Sequence, residues 1–403
     1  MRRLIKGNKI FDGEKFLEDK NTIVVEDGKI SEVLFISRED EDKYEYLETY
    51  EGILVPGFIN THCHLELSYL FQSFIAHQGM IGFLKQMMEK RDQVAHSIII
   101  EQAKCWDKRM QENGIVAVGD IVNSADTLEV KKQSSVDYIN FVEVFGLNSL
   151  KAKAFFEKSV HLWNSFLQQF PYSSIVPHAP YSLSEKLWNE VLNVLSRNKQ
   201  SIQSIHFLES MAEKNFLMNK PSDMRVYFQK EWHYSDEDLR HIPEKFSTYL
   251  SELLRNSEKI ILVHNTYWNG EYIDILRTYK QKIYFCLCPH ANLLIENRLP
   301  DVEYIKHFSD HICLGTDSLA SNFDLNIVNE MNVLLKYFPN ISIEEVLKWA
   351  TSNGANALGL DEKYGYIKKH YSIPLNVIQI DRLEHSIREA RSSRILKHLR
   401  VIR

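Results

Sequence analysis

The sequence predicts an α/β fold: a (β/α)₈ TIM barrel with a small β-sandwich domain built from both chain ends. Three observations carry that expectation. From Phe58 onward, eight β-rich runs alternate with amphipathic stretches, the pattern of parallel βα units. Most of these runs are apolar throughout, as strands covered on both faces by helices should be. Both ends of the chain read instead as short strands and turns.

The first 55 residues open this pattern. In "NTIVVEDGKISEVLFI" two β-rich runs flank Asp27-Gly28, a two-residue hairpin signal. The eight barrel runs follow: "GFINTHCH", "GIVAVGDIV", "YINFVEVFG", "SSIVPHAP", "SIQSIHFLE", "KIILVHNT", "KIYFCLCPH" and "HICLGTDS". Between the fourth and fifth, "SEKLWNEVLNVLSRN" has helical apolar spacing. A long connection after the fifth contains "KPSDMRVYFQKEWHYSDEDLRHIP", and its place on the expected active-site face makes it a candidate lid. Ser342 and Glu345 have capping-box spacing and open a late helix. Past Gly354 short β runs return, "PLNVIQI" being the clearest. The expected domains are residues 1–55 plus 355–403 as one β unit and 56–354 as the barrel.

Composition narrows the function classes. The 54 acidic and 48 basic residues give a net charge of −6, without a long basic run, so a nucleic-acid surface is not expected. No stretch of about 18 apolar residues suggests a membrane span. The opening "MRRLIKGNKIFDGEKFL" lacks the apolar core of a secretory signal, and five cysteines without dense spacing fit reduced thiols, so a cytoplasmic protein is expected.

The polar residues cluster by position. His62 and His64 form the single His-x-His of the chain. Placed at random, 16 histidines in a chain of this length give about 0.6 such pairs, so the pair alone decides nothing. On a strand both imidazoles face the same way and Cys63 faces the other, as a small buried thiol. His178, His206 with Glu209, His264 and Asp317 lie at the ends of the fourth, fifth, sixth and eighth runs. In a barrel those ends converge on one volume. Neutral imidazoles with one carboxylate suit a divalent metal, Zn²⁺ or Fe²⁺, which makes a nucleophile of water, while a nearby acid can move protons.

At these residues the chain resembles the amidohydrolase superfamily, and within it the mononuclear deaminases. "IVVEDGKISEV" followed by "VPGFINTHCH" is similar to that family's entry into its barrel. The resemblance implies one divalent ion, expected to be Zn²⁺, on His62, His64, His206 and Asp317. It implies that Glu209 shuttles protons, that His264 orients water, that Asp317 takes part in catalysis, and that His178 and Asn292 contact substrate. Relatives that cleave amides often hold two metals through a carboxylated lysine on strand four; "SSIVPHAP" has no lysine, which favours one metal and deamination.

Among the deaminases, "HCHLELS" followed by "GMIGFLKQ" is most similar to the aminodeoxyfutalosine deaminases of menaquinone biosynthesis. The S-adenosylhomocysteine and methylthioadenosine deaminases are the alternative, but the former usually have a small or apolar residue where this chain has Glu66. Guanine deaminases carry a glutamine that is absent here. Glu66 reads either as a carboxylate bonded to backbone amides or as a bond to substrate or Ser68. A futalosine-type nucleoside ends in a benzoate, which calls for a cation. Arg225, with Tyr227, Phe228, Trp232 and Tyr234 nearby, is the expected partner, and Lys85 and Arg91 are its rivals. The expected partner is thus a small nucleoside, with no nucleic acid or membrane, and the resemblance allows a homodimer. Two other classes fit less well. The cytidine-type zinc deaminases need P-C-x-x-C, and the chain has only "CLCP". Non-catalytic members of the superfamily generally lack ligands that this chain retains.

Overall fold

The computed structural model describes residues 2–91, 93–197, 201–371, 373–382 and 394–402. All eight β-rich runs form strands: β1 (Phe58–Cys63), β2 (Ile115–Val122), β3 (Asp137–Val144), β4 (Ser174–Pro177), β5 (Ile202–Phe207), β6 (Lys259–His264), β7 (Ile283–Leu287) and β8 (Ile312–Leu314). Neighbours pair in parallel as two four-stranded arcs, β1 to β4 and β5 to β8. Hydrogen bonds tie the arcs at both seams. The His206 N–H donates to the His178 carbonyl at 3.0 Å, and the Thr316 and Asp317 N–H groups donate to the His62 carbonyl, each at 3.0 Å. That second approach needs Gly315, where a Cβ would meet the His62 Cβ at 2.7 Å and the Cys286 sulfur at 2.9 Å.

Alternate residues of the strands enter separate cores. Ile139 and Phe141 of β3 join Ile261 and Val263 of β6, Cys286 of β7 and Cys313 of β8 in one cluster. Tyr138 and Val144 of β3, with Ile260 and Leu262 of β6, belong to the larger cluster shared with the helices, as does Cys63. This two-sided burial accounts for the unbroken apolar runs, each buried large side chain contributing about 1.5–3 kcal/mol. Ala355, Ala357 and Leu358 extend the first cluster past Gly354.

The chain ends form two further sheets. One orders Lys29–Leu34, Thr22–Glu26, Arg2–Lys6 and Leu47–Thr49; the other orders Arg394–Ile402, Leu375–Arg382, Ile53–Pro56, Lys9–Phe11 and Phe16–Leu17. Ile5, Ile23 and Val25 of the first share a core with Ile10, Leu54, Val377 and Ile402 of the second. The Asp27-Gly28 hairpin forms with Glu26 opposite Lys29 and both turn residues at positive φ, 50° and 77°. Residues 383–393 of the expected C-terminal β unit lie outside the described residues.

The connection after β5, expected as a lid, folds into three helices, Met211–Leu217, Asp223–Trp232 and Asp236–Asn256. The last buries Leu239, Ile242, Phe246, Leu250 and Leu253, an amphipathic stripe that packs it down as part of the wall. Ser342 and Glu345 form the expected reciprocal cap. Among the described residues no helix is long and apolar enough to cross a membrane.

Candidate metal centre and active site

The strand ends turn sharply, and they do so where the polar residues sit. Leu208, His264, Asn265 and Asp317 all have positive φ, at 48°, 74°, 57° and 57°. For residues with a Cβ this costs about 1–3 kcal/mol each and persists only where surrounding contacts hold it. After β5 that support is Glu213, whose carboxylate accepts the Leu208 and Glu209 N–H groups at 3.0 and 2.8 Å. After β8 it is the pair of hydrogen bonds from Thr316 and Asp317 to the His62 carbonyl, with the Thr316 N–H shared between that carbonyl and Asn60 Oδ1, 3.0 Å away.

These turns bring His62, His64, His206 and Asp317 together, with one donor atom of each within 4.8 Å of the others. His62 Nε2 and His64 Nε2 face one another at 3.2 Å. Asp317 Oδ1 lies 3.4 Å from the first and 3.2 Å from the second. All four groups are buried. Burial, relieved only in part by Asp317, keeps His62 below the usual imidazole pKa; burial and its imidazole neighbours push His206 well below it. Burial opposes a proton on His64 too, but Asp317 outweighs it and pushes His64 up. Asp317, despite its burial, is held well below the carboxylate range by His62 and His64. Buried imidazoles converging on a carboxylate oxygen fit one divalent cation, which binds such groups in their deprotonated forms. His206 Nδ1 donates to the His178 carbonyl at 3.0 Å, which leaves its Nε2 for the centre. Ser321 donates to the other oxygen of Asp317.

Glu209 and His264 stand beside this set without belonging to it. Their nearest atoms, Glu209 Oε1 and His264 Nε2, are 3.5 Å apart. Burial, with Asp317, Glu213 and Glu296 nearby, pushes the Glu209 carboxyl well above its ordinary value. Burial drives His264 down to about 3, so its ring is neutral. Asn292 Nδ2 points at His264 Nδ1 from 3.2 Å and donates to Thr266 at 2.7 Å. Taking Nδ1 as the acceptor places the ring proton on Nε2, toward Glu209.

A cavity of about 550 Å³ opens above these groups. His64, His178, His206, Glu209, His264 and Asp317 form its floor. Met80, Phe83, Leu84 and Met87 of the helix Gly79–Lys90 form one part of its wall, and Tyr227, Phe228, Trp232 and Tyr234 a second part, joined to the first where Lys85 meets Glu231 and the Tyr227 ring. The four aromatics named alongside Arg225 therefore all line the cavity. Arg225 is not among the lining residues: it pairs with Asp236 at 3.2 Å, donates to Asn219 at 3.0 Å and lies over the Phe216 ring. Its helix turns Met224, Tyr227 and Phe228 inward, and a residue about 100° round from Met224 falls on its flank. Lys85 pairs with Glu231 at 2.9 Å outside the lining set, whereas Arg91 does line the cavity. Glu66 is absent from the lining too. Its Oε2 accepts the Asn123 and Ser124 N–H groups at 3.0 and 2.9 Å, and its Oε1 lies 3.5 Å from Arg91. Asn292 reaches the floor only through His264.

Among the groups the sequence reading did not single out are Glu143 and Asn123 on the lining and Glu213 behind the turn after β5. Glu143 and Asn123 end two inward-facing rows, a position that alternation along β2 and β3 could have flagged. Glu213 had a signal as well, Ser210-x-x-Glu213, although its carboxylate goes to the turn instead of back to Ser210.

The model of the amidohydrolase family matches residues 53–397. An aminodeoxyfutalosine deaminase of a Nitratiruptor species is 27% identical over 327 residues, 77% of this chain and 75% of that protein. A 5-methylthioadenosine/S-adenosylhomocysteine deaminase of Clostridium tetani is 23% identical over 390 residues, 92% of this chain and 83% of its own. The crystal structure of Helicobacter pylori aminofutalosine deaminase superposes with a TM-score of 0.77 at 24% identity, covering 94% of this chain and 92% of that one, a likeness of fold.

Proposed function

The chain belongs to the amidohydrolase family, as a hydrolase acting on carbon–nitrogen bonds, and we propose that it is a metal-dependent deaminase of an adenine-type nucleoside. In this reading the two parallel arcs are one closed (β/α)₈ barrel, 56–354, and the two terminal sheets are a sandwich made from 1–55 and 355–403. The observation that carries the function is Glu209: a buried carboxyl pushed up toward its protonated form, beside but outside a four-group cation site, at the floor of an aromatic-walled cavity.

His62, His64, His206 and Asp317 would hold one divalent ion, and the donor set suits Zn²⁺ first and Fe²⁺ second. Such an ion, when bound, lowers the pKa of water toward about 7 and so supplies a nucleophile at neutral pH. The protein's own groups do the rest. Glu209 enters the reaction protonated and delivers its proton to N1 of the purine as water adds at C6. His264 directs its Nε2 proton at the oxygen of that water and fixes its line of approach. Asp317 takes a proton from the water; Glu209, now a carboxylate, takes up the proton of the new C6 hydroxyl and passes it to the departing amine as the C6–N bond breaks, and Asp317 returns its proton to Glu209. The sum is the exchange of C6–NH₂ and water for C6=O and ammonia.

For the substrate we favour 6-amino-6-deoxyfutalosine. Supporting this are the Nitratiruptor relative, a cavity with far more apolar wall than an adenine ring needs, and two cationic side chains, Arg91 and Lys158, on its lining. Arg91 replaces Arg225 as the candidate partner of the benzoate. Methylthioadenosine or S-adenosylhomocysteine is the second reading, favoured by the Clostridium relative's longer match. Five free cysteines and the substrate class agree with a cytoplasmic setting. Ammonia release from a panel of adenine nucleosides tests the proposal. Turnover of the futalosine substrate well above the others supports it, preference for a thioether nucleoside supports the second reading, and release from none rejects both.

A further inference from the structure

We propose that Glu143, with Asn123, is the acceptor site for the sugar hydroxyls of the nucleoside and sets a preference for a ribonucleoside over its deoxy forms. This rests on the nucleoside-deaminase reading and adds a recognition element to it. Glu143 follows Ile139 and Phe141 in the inward row of β3. It is 5% exposed and yet lines the cavity. Its Oε2 is fixed by the Asn123 amide at 2.8 Å. Its Oε1 accepts no hydrogen bond from the described residues. The nearest basic group is His206 Nδ1, 3.5 Å away, whose proton is already given to the His178 carbonyl at 3.0 Å.

Asn123 repeats the pattern. It too lines the cavity, and its Oδ1 is buried without a hydrogen-bond partner. The buried Asn123 oxygen lacks a donor at a cost in free energy, and the Glu143 oxygen beside it is open to a donor that a ligand brings. The base cannot supply both, because the one amine of an adenine is the group removed at C6. A ribose carries two neighbouring hydroxyls, each an O–H donor. Position agrees with chemistry: Glu143 lies one imidazole away from the four-group centre, on the far side of His206. A purine reacting at that centre carries its sugar outward, and the lining continues past Glu143 to Phe145 and Ser159.

The test compares Glu143→Gln with the unmodified enzyme on adenosine, 2′-deoxyadenosine and 3′-deoxyadenosine, with metal content measured in parallel. Glutamine keeps the size and the Asn123 contact and removes the charged acceptor. The unmodified enzyme should prefer adenosine to at least one deoxy analogue by about ten- to a hundredfold in kcat/KM, the range for a hydrogen bond to a charged group. The variant should lose most of that preference, with slight change on that analogue and the metal retained. Equal losses on all three substrates would overturn the assignment. Metal loss in the variant would overturn it as well, showing that Glu143 serves to hold His206. Where Glu143→Gln does not accumulate as folded protein, Glu143→Asp, which withdraws the same acceptor by one methylene, is held to the same outcomes. Ammonia release neither from these three nor from any nucleoside of the wider panel by the unmodified enzyme would remove the deaminase reading and this subsite with it.

Discussion

The floor and the walls of the cavity are built on different rules. Floor residues sit at or just past strand ends, buried, and are tied down from behind: His206 to the His178 carbonyl, Asp317 to the His62 carbonyl, and His264 to Asn292 of the helix Pro289–Glu296. Wall residues sit on the helices that follow β1 and β5 and, for Tyr234, on the link between two of them, with Trp232 44% exposed and Met88 55% exposed. The floor is held to a geometry by the backbone of the barrel, as chemistry requires. The walls can change residue by residue without disturbing that geometry, as substrate choice requires. The two regions should therefore respond differently to substitution.

The largest effect is expected on the floor. His206→Ala removes one of four donors, so it should weaken ion binding by more than the about 10–100-fold lost with an outer-sphere partner, and activity should vanish with the ion. Elemental analysis and a turnover assay check both. Glu209→Gln should separate the ion from the proton: the variant keeps its metal and loses about 10²–10⁴-fold in kcat. A variant that lost its metal, or turned over normally, would erase the distinction drawn between Glu209 and the four donors.

The walls should give smaller and more selective effects. Arg91→Met should cost about ten- to a hundredfold in kcat/KM for a substrate with an anionic tail, since a charge-assisted bond is worth about 1.5–3 kcal/mol. Adenosine, without that tail, should hardly notice. Equal losses on both would mean that Arg91 serves the fold through Glu66 instead. Least of all, Trp232→Ala should raise KM by a factor of about three to ten and leave kcat in place, as expected for contact made equally in ground and transition states. A fall in kcat there would break the division between floor and wall.

That division also explains what the sequence alone made legible. Apolar runs ending in His, Glu or Asp marked the strands and their ends, so the meeting of His62, His64, His206 and Asp317, with Glu209 and His264 beside them, could be expected from position. Helical positions were harder. "MRVYFQKEW" shows its aromatics and its arginine side by side, but a helix separates neighbours by about 100°, and Met224, Tyr227 and Phe228 took the inner face while Arg225 went to Asp236. The choice between partners of a buried carboxylate was also open: bonds to backbone amides were one of two readings of Glu66, and Glu143 was not singled out. Glu66 and Glu143 both stand near strand ends, and only the folded chain shows one spent on backbone amides and the other with an oxygen turned to the cavity.

Reconstitution of the metal-stripped protein tests the central claim most directly. Ammonia release from the preferred adenine nucleoside would be followed as Zn²⁺ is added in known amounts. One ion on His62, His64, His206 and Asp317 predicts no activity without metal, a linear rise, and a plateau at about one equivalent per chain. A plateau at two equivalents, or activity that persists without metal, would contradict it.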